Sequence, residues 1–132
     1  MRRRLLLDAG ALIALARGDI TVRAAMAEAL LRDYEVAVPT PVVAQVHRGG
    51  RNHARTDRVF GEIDAFLPTS MQTARHAGEL LARAGMSDAV DAIVAAEALR
   101  EVPSMVLTSD ASDLARLVGV GQEPGLVEVV AI

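Results

Sequence analysis

The chain has 132 residues, 52% of them hydrophobic and 23% charged, with no cysteine and a formal net charge of −3. That length suits one domain spanning 1–132, and the apolar content excludes intrinsic disorder. The missing cysteine excludes disulfides, thiolate zinc sites and cysteine nucleophiles, and because all fourteen basic residues are Arg, chemistry that needs a lysine amine is excluded as well.

Arg2, Arg3 and Arg4 precede an apolar run, and Ala14-Leu15-Ala16 has the small residues of a cleavage site. That is the outline of a secretory signal. Asp8 opposes it, because a carboxylate inside a short apolar stretch is costly to insert. No stretch approaches the ~20 uninterrupted apolar residues of a membrane span. The expectation is a soluble, cytoplasmic protein with no membrane segment.

Leu5–Leu7 is a continuous apolar run, suited to a strand buried on both faces, and it ends at Asp8. Residues 9–16 read as a helix stopped by Gly18, and 20–32 as a second, Ala-rich one. A strand over 35–38 closes at Pro39, and Pro41 suits the first turn of a helix ending near Gly49-Gly50. Residues 51–65 read as an Arg-rich polar helix, with a short strand at 66–67. Ser70 can cap a helix over 71–84 that Gly85 ends, and Ser87 can cap another over 88–100. A strand over 105–107, a helix over 112–118 and a strand over 127–130 complete the chain.

Strands alternating with helices imply a parallel sheet covered on both faces. Sites in such sheets form beyond the carboxyl ends of the strands, near the switch in strand order. Asp8 follows the first strand, and Asp110 and Asp113 follow the strand over 105–107. Each one alone is adequately explained by turn chemistry or capping. Asp88 and Asp91 are spaced i, i+3 and share a face of a helix that is apolar almost all round. The helix dipole accounts for Asp88 but less well for Asp91. Five carboxylates converging on one edge repel until a proton or a cation binds. Oxygen-only ligands select a hard cation, Mg²⁺ or Mn²⁺, over zinc. Such ions activate water and stabilise the charge of phosphodiester cleavage.

Four segments carry a resemblance. They are Leu6-Leu7-Asp8 with Ala9-Gly10-Ala11-Leu12-Ile13, then Thr40-Pro41-Val42-Val43-Ala44-Gln45-Val46-His47-Arg48-Gly49, then Ser87-Asp88-Ala89-Val90-Asp91-Ala92-Ile93-Val94-Ala95-Ala96, and Leu107-Thr108-Ser109-Asp110-Ala111-Ser112-Asp113-Leu114. In this order the chain resembles the PIN-domain nucleases, in particular the VapC-type toxins of bacterial toxin–antitoxin pairs. Each segment alone is weakly specific, and the four together cover nearly the whole chain.

The resemblance implies an α/β fold, a PIN-like three-layer α/β/α arrangement with a small central parallel sheet of about 4–5 strands. It also implies Mg²⁺- or Mn²⁺-dependent endoribonuclease activity on an RNA substrate, a homodimer, and inhibition by a small cognate antitoxin of the VapB kind. Asp8, Asp91 and Asp110 match the family's catalytic metal-site acids, Asp113 lies close by, and Asp88 sits where many relatives carry a further acid. Thr108 matches a hydroxyl residue that holds the site by hydrogen bonding. Gln45 departs from the pattern, because most members have Glu there. An amide oxygen can support the site but adds no charge, so a catalytically inactive PIN-fold module that binds RNA or protein is the alternative.

Other motifs are bland. Gly119, Gly121 and Gly125 follow a helix, the reverse of a dinucleotide fingerprint. Ser104, Ser109 and Ser112 lack a nucleophile-elbow setting. His47, His53 and His76 form no metal-binding pair of the H-E-x-x-H kind. Arg48, Arg51, Arg55 and Arg58 recur at near-helical spacing and form a candidate basic stripe, the first three being candidate RNA contacts; a solvated helix face explains them equally well. Setting aside the five site carboxylates turns −3 into +2, so the acidity does not oppose an RNA substrate.

Overall fold

The computed structural model describes residues 3–51 and 53–132. Met1, Arg2 and Asn52 lie outside them, and with them the start of the basic run and one residue of the expected Arg-rich helix.

The leucine run forms β1 (Arg3–Leu7), in which Leu5, Leu6 and Leu7 are wholly buried. Its neighbours are β2 (Tyr34–Pro39) and β4 (Ser104–Thr108), and β3 (Ala65–Leu67) and β5 (Val127–Ala131) form the edges. The order is β3-β2-β1-β4-β5 and every pairing is parallel. The register sets Leu5 beside Val36 and Leu7 beside Leu107. Burial on both faces explains why these strands are unbroken apolar runs and do not alternate.

Seven helices surround the sheet among the described residues. They are α1 (Ala9–Ala16), α2 (Ile20–Leu31), α3 (Thr40–Val46), α4 (His53–Phe60), α5 (Met71–Ala84), α6 (Ala89–Arg100) and α7 (Ala111–Gly119). α1 packs with α2 and α4, and α5 packs with α6 and α7. The result is the three-layer α/β/α architecture that the sequence implies. α6 owes its burial to Ala92, Val94, Ala95 and Ala98, small residues that let it lie close to the sheet. None of the helices is long and apolar enough to cross a membrane, among the described residues.

Two local expectations are corrected. The helix expected over 51–65 is only His53–Phe60. Gly61 follows, and Asp64 then binds β2, its backbone N–H donating to the Val36 carbonyl at 3.0 Å and its Oδ2 accepting the Val36 N–H at 2.9 Å. That clamp pulls the chain into β3, where a continued helix would have left the edge of β2 unpaired. Gly49 and Gly50 take positive φ of 68° and 77°, so Arg48 and Arg51 stand outside any helix. The stripe of four therefore does not exist, and only Arg55 and Arg58 share α4. The second correction concerns the cap of α6, which is Asp88 and not Ser87, because the Asp88 carboxylate takes the Asp91 N–H at 3.0 Å.

Candidate metal centre

The strand order reverses between β1 and β4, so the chain diverges beyond their carboxyl ends. Asp8 stands at the end of β1. Its backbone N–H donates to the Leu107 carbonyl at 3.2 Å, which extends the ladder by one residue. Its side chain caps α1, with Oδ1 accepting the Ala11 N–H at 2.8 Å. Its Oδ2 accepts the Thr108 hydroxyl at 2.5 Å. Asp8 is 4% exposed, so this carboxylate is buried and both its oxygens are engaged.

Thr108 ends β4 and is wholly buried. Its Oγ1 also accepts the Asp110 N–H at 2.8 Å. One hydroxyl therefore fixes both the Asp8 carboxylate and the backbone of the loop that carries Asp110. That loop leads into α7, and Asp113 lies in its first turn.

α6 delivers the remaining acids. Asp88 ends the preceding loop, and its cap bond fixes the first helical turn, from which Asp91 projects half-buried. Burial pushes the Asp91 carboxyl up to about 6, and the charges of Asp88, Asp8, Asp110 and Asp113 add to the rise. Asp113 is also raised, first by a hydrogen bond shared with the Asp110 side chain and then by the Asp110 charge. Oxygens of Asp91, Asp110 and Asp113 all lie within 4.8 Å of one another. The structure thus brings these three together, with Asp8 and Asp88 close enough to act through charge.

Gln45 is exposed near the end of α3 and makes no side-chain hydrogen bond among the described residues. α3 packs against α1 and α6, the helices that start at Asp8 and Asp88. Arg48 donates to the Ala44 carbonyl at 2.7 Å and the His47 carbonyl at 3.3 Å, closing the end of α3. Arg51 is exposed in a turn, and Arg55 is exposed on α4.

Gly10 has a role that the sequence reading assigned to no residue. A Cβ at Gly10 would lie 1.8 Å from Ser109 Oγ and 2.5 Å from Ser109 Cβ. Only hydrogen fits where α1 crosses the loop between Thr108 and Asp110. The available signal was a glycine in the first turn of an Ala-rich helix, where Ala would propagate the helix better.

The PIN domain family model matches residues 5–119. The chain belongs to the PIN domain family. Its fold is also similar to two solved structures. One is the crystal structure of VapBC2 from Rickettsia felis bound to a DNA fragment from their promoter, with 14% identity, 98% of each chain covered and a TM-score of 0.74. The other is the structure of FitAB bound to an IR36 DNA fragment, with 18% identity, 96% of this chain and 94% of that one covered, and a TM-score of 0.69. No curated protein matches the sequence. In this PIN domain the acid cluster occupies the switch point of the parallel sheet, where α/β folds place their sites.

Proposed function

We propose that this PIN-domain chain, as one domain over 1–132, is a Mg²⁺- or Mn²⁺-dependent endoribonuclease. In this reading it is the VapC-type toxin of a toxin–antitoxin pair, works as a homodimer and is silenced by a small VapB-like antitoxin. The observation that carries the catalytic part is the trio Asp91, Asp110 and Asp113, with oxygens within 4.8 Å of one another at the switch point. Fold likeness to VapBC2 and FitAB supports the two-component reading.

The residues fit a hard divalent cation. Three carboxylates offer oxygen ligands, neither cysteine nor histidine competes among them, and the Asp91 carboxyl is raised first by burial and then by the charge of its acidic neighbours, which a cation would offset. Asp8, Asp91 and Asp110 would hold the catalytic ion, and Asp113, close to Asp91 and Asp110, would with Asp88 hold a second ion or outer-shell waters. A bound cation supplies Lewis-acid polarisation of the scissile phosphate and lowers the pKa of water. The protein's own part is positioning. Thr108 holds Asp8 in one rotamer and the Asp110 loop in one place. Asp88 fixes the turn that presents Asp91. Such preorganisation avoids the cost of gathering like charges at the moment of reaction.

One observation favours a second reading. Gln45 adds no charge where most family members carry Glu, which suits a binding module without catalysis. The deciding experiment pairs RNA cleavage with calorimetric titration of Mg²⁺ and Mn²⁺. Cleavage that needs the ion, stops with chelator and is lost in Asp8→Asn supports the nuclease. Cleavage that persists in Asp8→Asn points to a contaminant. A folded protein that binds neither ion at millimolar concentration favours the module.

A further inference from the structure

At the far end of α1 from the acid cluster lies a cleft of about 270 Å³ lined by Arg17, Arg23, Arg55 and Arg58, with Leu15 and Val59 among the residues at its base. Arg17 caps the C-terminus of α1, and Arg55 and Arg58 share one face of α4. Arg23 is paired with Glu62 at 3.2 Å. The guanidinium groups of Arg17, Arg55 and Arg58 have no hydrogen bond or ion pair among the described residues. Elsewhere Arg48, Arg83, Arg100 and Arg116 donate to a carboxylate or a carbonyl and Arg4 lies 3.1 Å from Glu101, while Arg3, Arg51 and Arg75, also without a side-chain partner among the described residues, stand outside the cleft.

Three unpaired cations converging on one cleft repel each other, as the acids do at the opposite end of the helix. An anion with several acceptor oxygens resolves that repulsion, and the planar guanidinium fork matches a phosphate's edge. A second groove of about 180 Å³ shares Ala16, Arg17 and Arg55 and continues past Ile13 and Val46. Ile13 and Ala9 lie on the same face of α1, one turn apart, and Ala9 adjoins Asp8. The groove therefore leads from the arginines toward the carboxylates. Nine residues from Asp8 to Arg17, at ~1.5 Å each, separate the two by about 13 Å. That is about four nucleotides of stacked strand at ~3.4 Å each.

We infer that Arg17, Arg55 and Arg58 form a phosphate-binding cleft that grips the RNA backbone a few nucleotides from the scissile bond. This rests on the nuclease reading and adds to it the direction in which the strand leaves the metal centre. The chain has only three aromatic residues, so backbone charge and not base stacking has to hold the strand.

The test is fluorescence anisotropy with a short labelled single-stranded RNA in EDTA, where cleavage is off. Wild type is compared with the triple variant Arg17→Gln, Arg55→Gln, Arg58→Gln and with a control losing equal charge elsewhere, Arg3→Gln, Arg75→Gln, Arg83→Gln. The single variant Arg55→Gln reads the same cleft with the least disturbance of the fold. The expected result is at least a tenfold weaker affinity for the triple variant at low salt, several-fold for Arg55→Gln, and little change for the control. The dependence of log affinity on log salt should be shallower by about 2 in the triple variant, at ~0.7 per single-strand phosphate contact. Wild type and triple variant binding equally well overturns the cleft and leaves the nuclease intact. Wild type that neither binds nor cleaves RNA overturns both. A polyglutamate peptide that competes as well as RNA of equal charge also overturns the proposal, in favour of an acidic protein segment.

Discussion

Thr108 donates its hydroxyl hydrogen to Asp8 Oδ2, joining the ends of two central strands one hundred residues apart in sequence. Both groups are buried, and the same hydroxyl accepts the Asp110 N–H. Thr108→Val keeps the shape and removes the polar atom. It leaves a buried carboxylate oxygen without its donor and frees the Asp110 loop. Leaving such a group unsatisfied costs about 1–3 kcal/mol. Urea denaturation should show that loss, and cleavage should fall with it. Thr108→Ser retains the hydroxyl and should recover most of both.

Gly10 and Ser109 make a second, steric relationship. Gly10→Ala puts a methyl 2.5 Å from Ser109 Cβ, which no side-chain rotation relieves. The loop carrying Asp110 has to move, at a cost of about 1–3 kcal/mol. Cleavage should fall, and divalent-ion affinity with it, while circular dichroism stays native. Ser109→Gly in the same chain removes the opposing Cβ and should restore both. A double variant as weak as Gly10→Ala alone would mean that the crowding lies elsewhere.

The fold was legible because the three central strands are apolar runs ended by punctuation: Asp8 after Leu5–Leu7, Pro39 as the last residue of β2, Thr108 as the last residue of β4. Helix α1 and helix α5 match their expected limits, because a capping side chain and a following glycine mark both. The helix expected over 51–65 stops at Phe60 because the following chain is held by Asp64 binding Val36, a contact twenty-eight residues away that no local pattern reveals. The site was legible in part. Placing Asp91, Asp110 and Asp113 together needed only topology. Asp8 capping α1 through Ala11 is a local pattern, but its second oxygen bonding Thr108 and the clearance of Gly10 from Ser109 are facts of packing between segments about a hundred residues apart.

The acid cluster should make metal-free stability depend on pH. The folded-state pKa of Asp91 is about 6, above the unfolded value of 3.8, so the folded chain binds this proton more tightly. Stability therefore rises as pH falls from about 7 through 6 toward 4, and the penalty is fully present only above about 7. Asp91 is only half-buried, and solvent screening reduces the effect to on the order of 1 kcal/mol. Thermal melts in EDTA at pH 5 and pH 7.5 check it. Asp88→Asn keeps a capping oxygen but removes the largest of the four charges acting on Asp91, so it should flatten the difference. Added Mn²⁺ should act the opposite way, stabilising at pH 7.5 and losing its effect below 6, where protons compete for the same oxygens.

Gln45 tests how much charge the centre needs. It is exposed near the end of α3, without a side-chain hydrogen bond to lose, so Gln45→Glu should leave the fold unchanged. α3 packs on the helices that begin at Asp8 and Asp88, so the new carboxylate adds to the charge of that edge. The expected outcome is roughly tenfold tighter Mn²⁺ binding by calorimetry, about 1.4 kcal/mol, a reasonable scale for one added charge in a partly screened site. The pH at which Asp91 titrates in the metal-free protein should rise as well, because another negative neighbour raises it. If the wild type already cleaves RNA, the variant should reach the same rate at lower ion concentration. If the wild type is silent and the variant cleaves, Gln45 is the residue that turned a nuclease into a binding module. Unchanged ion affinity together with an unchanged Asp91 titration would mean that position 45 lies outside the reach of the centre.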